Sequence, residues 1–357
     1  MNRITDVPGI GVGHTTRLDR EVTVGTLSEA GRGWATGTTV VTVPDRSTTA
    51  VDVRGGGPGT RETDLLDPVN TVLGAHAIVL SGGSAYGLAA ADGVMSVLER
   101  QSRGLPMDLL GHVVPIVPAA VIFDLPVGAW ENRPDADFGA QALAAVGEEF
   151  AIGTVGAGTG ARAGALKGGI GTSSITLDDG PACGLTVGAL VVANPVGAVI
   201  DPGTGLPWGG DDLEHHGLVP PDPGEVAVYA GLANKGTPLN TTIGVVATDA
   251  ALSVAATRRL AMSGHDGLAR AIRPAHSPLD GDTLFAVATG ARTADAKATP
   301  MPLGMDPAAP LTAALCEAAA TAVQRAVVSA VVAATTVGAI PAYRDVLGSA
   351  FGAGSTR

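Results

Sequence analysis

Aromatic residues and positive charge are both scarce in this chain. Phe, Trp and Tyr make up only 3% of its 357 residues. The core must therefore be built from Ala, Val, Leu and Ile, which suits closely packed layers of sheet and helix. Lys and Arg number 22 against 34 Asp and Glu, a formal net charge of −12. A nucleic-acid or anionic-membrane surface has little electrostatic basis, and we expect a small-molecule substrate.

Cysteines and targeting signals are also few. The two cysteines, Cys183 and Cys316, lie far apart and outside any CxxC pattern, which disfavours a disulfide framework or a metal cage. The N-terminal MNRITDVPGIGVGH has neither the basic segment nor the apolar core of a signal peptide, so we expect a cytoplasmic protein. The apolar stretch at 318–337 carries Gln324 and Arg325 in its middle, which predicts a buried helix rather than a membrane span.

Glycine is abundant, with 51 residues, and it concentrates in connections between apolar runs. Strands are predicted where β-branched apolar runs are bounded by turn residues, at 38–43, 51–54, 77–80, 185–193 and 283–289, with a further strand starting at Asn240 and an extended segment at 198–201. Helices are predicted within 81–100, 250–262 and 309–337. The alternation of strands and helices, without an internal repeat, indicates one α/β or α+β domain.

Two loop features invite binding hypotheses. Residues 201–224 are rich in Pro, Gly and Asp and contain His215 and His216, a pair that can ligate a metal. Further ligands do not cluster near them in the sequence, so we assign no metal. Gly82 and Gly83 precede a predicted helix, where they either allow a sharp turn or prepare an anion site, although no Walker lysine or dinucleotide spacing accompanies them.

Asn240-Thr241-Thr242 follows a polar, turn-prone connector at 234–239 and begins a strand. A hydroxyl at such a junction can be held against the carbonyl that precedes it. An N-to-O acyl shift, followed by hydrolysis of the ester, would leave Thr241 as a new N-terminus. Its α-amine, with a pKa of about 8, can serve as general base for the adjacent hydroxyl. Threonine is common at strand starts, so the tripeptide alone leaves this chemistry and an ordinary strand start open.

Longer blocks give a more specific signal. In chain order they are ITDVPGIGVGH, AVDVRGGGPGTRETDLL, LSGGSAYGLAAADGV, GAGTGARAGALKGGIGTSS, VVANPVGAVID, LNTTIGVVAT and LDGDTLFAVAT. Together, from about residue 4 to 340, they resemble the L-aminopeptidase/D-esterase family of self-cleaving N-terminal-nucleophile hydrolases, which includes β-peptidyl aminopeptidases and nylon-oligomer hydrolases.

The resemblance implies a fold, a cleavage and an assembly. The fold is a four-layer α/β/β/α sandwich, similar to N-terminal-nucleophile hydrolases but with different strand connectivity. The single hydrolase domain, residues 1–357, would be cut between Asn240 and Thr241 into an α fragment (1–240) and a β fragment (241–357). The two fragments would stay associated, as a homotetramer of such pairs.

The resemblance also implies site roles. Thr241 matches the nucleophile, and Asn194 matches a side-chain amide that donates to the oxyanion. Asp280 and Asp282 match a pair that orients and polarises the nucleophile, and Lys167 matches a lysine that stabilises negative charge or tunes the amine. Without the resemblance, Asn194 would be a turn cap, the Asp-Gly-Asp segment a solvated turn and Lys167 a solvated loop residue.

One position departs from part of the family. Asp-Gly-Asp together with Thr241 resembles the nylon-oligomer hydrolases, whereas relatives with a serine nucleophile have Ser-Gly-Glu in this place. Those nylon-type relatives have a tyrosine where this chain has Phe123, so a phenol donor is missing. The substitution argues against a nylon-like substrate.

The activity that the resemblance implies is that of an amidohydrolase or aminopeptidase without metal or organic cofactor. It would cleave short peptides, amino-acid amides or esters, β-peptides or related linear amides through an acyl-enzyme. A self-processing acyltransferase of the ornithine acetyltransferase type is one alternative. An unprocessed, non-catalytic binding protein of the same fold is the other.

Overall fold

A computed structural model describes residues 2–208, 212–232, 240–294 and 300–352. The predicted connector at 234–239 lies outside these residues. The strands of the described chain are β1 (Gly11–Leu18), β2 (Ala35–Thr42), β3 (Thr48–Val53), β4 (Thr60–Arg61), β5 (Ala77–Ser81), β6 (Leu105–Pro106), β7 (Val113–Val114), β8 (Ala119–Val121), β9 (Arg162–Ala163), β10 (Leu166–Lys167), β11 (Gly169–Thr176), β12 (Thr186–Ala193), β13 (Ile243–Ala250) and β14 (Thr283–Arg292). The α-helices are α1 (Ala90–Arg100), α2 (Ala136–Ala144), α3 (Leu213–His216), α4 (Pro223–Ala230), α5 (Val254–Ala271), α6 (Ala309–Val332) and α7 (Tyr343–Val346).

Two five-stranded sheets form the centre of the molecule. The first has the order β1-β2-β5-β8-β4 and the second the order β11-β12-β13-β14-β3. In the second sheet β13 and β14 run parallel, with Ile243 opposite Thr283, while the other pairs are antiparallel. Because parallel strands begin at the same edge of a sheet, the residues that precede β13 and those that precede β14 meet there.

The inner faces of the two sheets pack against each other. Val41 and Leu80 from the first sheet share one buried apolar cluster with Leu190 and Phe285 from the second. The outer face of the first sheet is covered by α1 and α2, and that of the second by α5 and α6, each through a separate buried cluster. The layers are therefore α/β/β/α, as the resemblance implies.

Helix α6 is long and apolar enough to cross a membrane by length and composition, and it is the one such helix in the described residues. Within the fold it lies against β11, so closely that a Cβ on Gly171 would come 1.9 Å from the carbonyl oxygen of Ala326. Val323 and Val327 on this helix are fully buried. The predicted buried helix is confirmed, although it ends at Val332 rather than at residue 337.

Helix α5 differs more from expectation. The sequence predicted its end at Met262, but the helix continues to Ala271. A Cβ on Gly267 would come 2.2 Å from the carbonyl oxygen of Ala320 in α6, and one on Gly264 would come 2.8 Å from Leu284 Cδ1. These glycines allow α5 to approach α6 and the sheet rather than ending the helix, which offsets their low helix propensity.

The segment at 198–201, predicted to be extended, makes two isolated β-bridges, between Ala198 and Arg273 and between Ile200 and Pro207, without forming a continuous strand. One further prediction needs correction. The helix predicted within 81–100 is divided into a 3-10 segment, Ser84–Ala89, followed by α1. Gly83 adopts a left-handed backbone with φ of 82° ahead of that segment, which fits its predicted role in a sharp turn.

Candidate active site

Thr241 lies two residues before the start of β13 and is 4% exposed. Its N–H donates to the carbonyl oxygen of Asn194, just after β12, at 3.1 Å. Its hydroxyl donates to the carbonyl oxygen of Asn240. The N–H of Gly281, before β14, donates to the same carbonyl at 3.0 Å. The peptide bond between Asn240 and Thr241 is therefore enclosed by the ends of three neighbouring strands.

Asp282 is hydrogen-bonded to the backbone next to Thr241. Its Oδ1 accepts from the N–H of Thr242 at 2.8 Å. Its Oδ2 accepts from His276 twice, from the backbone N–H at 3.2 Å and from the ring Nδ1 at 2.8 Å. The carboxylate is 1% exposed, so it belongs to the interior and not to a solvated turn.

Asp280 holds the other side of the same turn. Its Oδ1 accepts from the N–H of Val196 at 3.1 Å, and its Oδ2 accepts from the N–H of Ser277 at 3.2 Å. It too is 1% exposed. Burial, and then the neighbouring Asp282 carboxylate, raise the pKa of Asp280. Through these hydrogen bonds, Asp280 links the turn that follows Asn194 to the loop that contains Gly281.

Asn194 is fully buried between Thr241 and the segment that follows β8. Its side-chain Oδ1 accepts from the N–H of Arg162 at 3.0 Å, and its Nδ2 donates to the carbonyl oxygen of Phe123 at 3.3 Å. The backbone carbonyl of Asn194 accepts a hydrogen bond from the Thr241 N–H. The side-chain amide of Asn194 therefore belongs to a residue that directly contacts the predicted nucleophile.

Lys167 is fully buried in β10 and is not a solvated loop residue. Its Nζ donates to the carbonyl oxygens of Gly158 and Gly168 at 2.9 and 2.8 Å. Burial lowers its pKa to about 7, although the nearby Asp124 carboxylate opposes the change. Its link to the nucleophile runs through β9, where Arg162 pairs with Lys167 and donates to Asn194.

Asp124 is a buried carboxyl group that was not among the site residues predicted from the sequence. It accepts from Thr36 Oγ1 at 2.8 Å and from the N–H of Gly83 at 2.6 Å. Burial raises its pKa to about 6, although these two hydrogen bonds and the charge of Lys167 favour the ionised form. It follows an ordinary apolar strand in IFDL, so no sequence pattern distinguished it.

Gly281 and His276 were also missed. A Cβ on Gly281 would come 2.8 Å from Thr241 Oγ1 and 2.6 Å from the carbonyl oxygen of Gly57, so only glycine leaves the hydroxyl its space at this position. His276 precedes Asp282 by six residues in the chain. Its position beside the Asp-Gly-Asp segment was the available signal for a partner of these carboxylates.

Phe123 stands at the margin of this site, partly exposed, with its ring edge-on to Trp130 at a centroid distance of 6.3 Å. Its backbone carbonyl contacts Asn194, but its ring offers no hydrogen-bond donor. The structure thus places an apolar ring at the position where the resemblance implies a phenol in the nylon-type relatives.

His215 and His216 lie elsewhere, on α3. Their rings are 5.0 Å apart, and His215 Nε2 is 2.9 Å from Asn2 Nδ2. They line a cavity of about 630 Å³ whose walls do not include Thr241 or Asn194. Among the described residues, no group of three or more His, Cys, Asp or Glu side chains is arranged to hold a metal ion.

Comparisons with known proteins agree with the motif blocks. Residues 2–342 match the family model described as Peptidase family S58. An uncharacterized aminopeptidase of Mycobacterium tuberculosis is 55% identical over 356 residues, covering 99% of this chain and 100% of the relative. The 6-aminohexanoate-oligomer endohydrolase of Kocuria sp. is 33% identical over 266 residues, covering 71% of this chain and 69% of that enzyme.

A solved structure supports the fold. The L-aminopeptidase D-Ala-esterase/amidase from Ochrobactrum anthropi, described as a new variant of the Ntn hydrolase fold, superposes with a TM-score of 0.67 over 93% of this chain and 86% of that one. At 24% sequence identity it is similar in fold alone. The four-layer architecture and the resemblance inferred from the sequence blocks are both confirmed.

Proposed function

Because this chain belongs to peptidase family S58 and is a hydrolase of amide or peptide bonds, we propose that it cleaves its own peptide bond before Thr241. Thr241 then acts as the N-terminal nucleophile of an aminopeptidase or amidohydrolase. The observation that carries the proposal is the contact of the Thr241 hydroxyl with the carbonyl of Asn240, in a buried position where Gly281 donates to the same oxygen.

The cleavage step follows from this contact. Thr241 Oγ attacks the carbonyl carbon of Asn240, and the Gly281 N–H stabilises the negative charge that develops on the carbonyl oxygen. Collapse breaks the bond from carbon to the Thr241 nitrogen, which takes up the hydroxyl proton, and leaves an ester on Oγ. Water hydrolyses the ester, releasing the Asn240 carboxyl group and a free α-amine on Thr241.

The hydrolytic cycle uses the new amine. It accepts the proton of Thr241 Oγ as that oxygen attacks the substrate carbonyl, and the resulting acyl-enzyme is hydrolysed by water. Asn194 supplies its side-chain amide to the oxyanion. Asp280 and Asp282 hold the backbone segments around the nucleophile in place. Lys167 adds positive charge near Asn194, to which it is linked through Arg162.

The substrate class is small amides with a free amino terminus. The relative that is 55% identical is named an aminopeptidase, a class that acts on substrates with a free amino terminus. The Kocuria relative is named for a linear oligomer, but Phe123 removes the phenol expected for such substrates. Short peptides, aminoacyl amides and esters, and β-peptides are therefore the proposed substrates.

A panel of aminoacyl p-nitroanilides tests the activity. We expect the wild type to release p-nitroaniline, Thr241→Ala to lose turnover entirely and Thr241→Ser to keep part of it, because serine retains the hydroxyl. Thr321→Ala, in helix α6, is the matched control and should retain wild-type turnover. Equal rates for wild type and Thr241→Ala would contradict the assignment of the nucleophile.

A further inference from the structure

His276 makes two hydrogen bonds to one carboxylate oxygen. Its backbone N–H and its ring Nδ1 both lie within 3.2 Å of Asp282 Oδ2. To do so it adopts a left-handed backbone, with φ of 54°, a conformation that is unfavourable for an ordinary side chain. The local geometry is therefore held against an intrinsic cost, and it directs both donors of this residue at Asp282.

The second ring nitrogen also faces an acceptor. Nε2 of His276 is 3.4 Å from the carbonyl oxygen of His265 in α5. A neutral imidazole has one N–H and one acceptor nitrogen, whereas the imidazolium has two N–H donors. Because a carboxylate and a carbonyl both only accept, the imidazolium satisfies the two contacts together.

The charged groups around the ring agree with this assignment. Burial alone lowers the pKa of His276, but the hydrogen bond and charge of Asp282 outweigh it and raise the pKa. Asp52 in β3 and Arg54, just after β3, face the ring and pair with each other at 2.8 Å.

His265 in α5 also faces His276, and the two ring centroids are 4.9 Å apart. Burial lowers the pKa of His265 to about 4, so that His265 remains neutral. On the loop of His276 itself, the second carboxylate beside Asp282 is Asp280.

We propose that His276, as an imidazolium, is a positioning residue for the Asp282 carboxylate and, through it, for the Thr241–Thr242 backbone. His276 donates to Oδ2 of Asp282, while Oδ1 accepts from the N–H of Thr242. Its effect on turnover rests on the proposed function, whereas its link to Asp282 does not.

The proposal has a pH signature. When His276 loses a proton, the neutral ring can no longer donate to both Asp282 and His265, and the positive charge beside the carboxylate disappears. The activity of the wild type should therefore fall as the pH rises through the raised pKa of His276.

Two substitutions separate geometry from charge. His276→Asn tolerates a left-handed backbone and keeps an amide donor near the Nδ1 position, but it does not titrate. His276→Gly keeps only the backbone. At pH 6 we expect kcat to fall about 10-fold in His276→Asn and up to about 100-fold in His276→Gly, on the scale of a misplaced catalytic group, with KM changed less than about 2-fold.

The pH profile of kcat/KM is the deciding readout for turnover. The basic limb assigned to His276 should be present in wild type and absent from His276→Asn, with matching melting temperatures showing that both proteins are folded. An unchanged basic limb in His276→Asn would overturn the proposal.

NMR titration of histidine-labelled protein tests the link to Asp282 without any turnover. The His276 signal, identified by its loss in His276→Asn, should titrate above the ordinary value of 6.5 and move to lower pH in Asp282→Asn. A titration at or below 6.5, or no response to Asp282→Asn, would overturn the proposal. An inactive wild type with the predicted titration would instead refute the proposed function and leave the His276–Asp282 link established.

Discussion

Two buried carboxyl groups, Asp282 and Asp124, hold different parts of the molecule in place. Asp282 accepts hydrogen bonds from Thr242 and His276, so it holds the backbone beside the nucleophile. Asp124 accepts from Thr36 and Gly83, in the first sheet and the turn after it, and shares a fully buried region with Lys167.

The difference lies in how each charge is compensated. The carboxylate of Asp282 is hydrogen-bonded at 2.8 Å to the ring of His276, whose pKa this contact raises. Asp124 and Lys167 interact through space, while the Lys167 ammonium donates to backbone carbonyls. The stability contributed by Asp282 and His276 should therefore respond to changes in geometry. The stability contributed by Asp124 and Lys167 should respond to changes in charge.

The largest effect is expected from Lys167→Met. It leaves Asp124 without its positive neighbour in a fully buried site, and breaking a buried charge pair on one side costs about 3 to 5 kcal/mol. Asp124→Asn combined with Lys167→Met should cost less than the sum of the single changes, because no charge remains. Urea unfolding, with every protein in the Thr241→Ala background, measures the free energies. Strict additivity of the two changes would show that the two groups are independent.

Asp282→Ala should come next. It leaves the N–H of Thr242 and the ring of His276 without their acceptor, at a cost of about 2 kcal/mol in unfolding free energy. Asp92→Ala is the matched control, since Asp92 forms an exposed ion pair with Arg61 and should cost less than about 1 kcal/mol. The same urea titrations measure the free energy of unfolding of both variants. Equal losses of unfolding free energy for the two variants would mean that Asp282 does not hold the chain in place.

The stability contributed by Asp124 and Lys167 should depend on pH. The pKa of Asp124 is raised from 3.8 to about 6, so its contribution is complete below 3.8 and is lost as the pH rises through about 6. The pKa of Lys167 is lowered from 10.5 to about 7, so its contribution is complete above 10.5 and is lost as the pH falls through about 7. Relative to the Asp124→Asn/Lys167→Met variant, the parent should be least stable between about pH 6 and 7. A stability difference that does not change with pH would contradict the assigned shifts.

The smallest effect is expected from Phe123→Tyr. The ring is partly exposed, so stability should change by less than about 0.5 kcal/mol. The added phenol should raise turnover of 6-aminohexanoate oligomers relative to aminoacyl p-nitroanilides. Chromatography of the products released from both substrates gives the ratio of the two turnover rates. A ratio unchanged from wild type would show that Phe123 does not determine substrate specificity.

Much of the fold could be predicted because its signals are local. The runs at 38–43 and 77–80 form β2 and β5 as expected, since β-branched residues bounded by Gly or Pro mark buried strands. The end of α5 could not be predicted, because Gly264 and Gly267 act through contacts with Leu284 and α6 that no local pattern contains. The segment at 198–201 makes β-bridges as an extended segment can, but its partners, Arg273 and Pro207, give it no continuous neighbouring strand.

The candidate site was predicted unevenly. Thr241, Asn194, Asp280 and Asp282 were named from the motif blocks, and the structure brings all four together at one edge of the second sheet. Their catalytic roles remain predictions. Asp124 could not be named, because a buried carboxyl group after an ordinary strand becomes informative only when the packing is known. His276 was missed although it lies six residues before Asp282 in the chain.

Intact mass spectrometry of the purified wild type beside Thr241→Ala tests the proposed self-cleavage. We expect two wild-type species, corresponding to residues 1–240 and 241–357, and a single uncut Thr241→Ala chain. A wild type that remains one chain after long incubation, or a Thr241→Ala variant cut at the same bond, would contradict it.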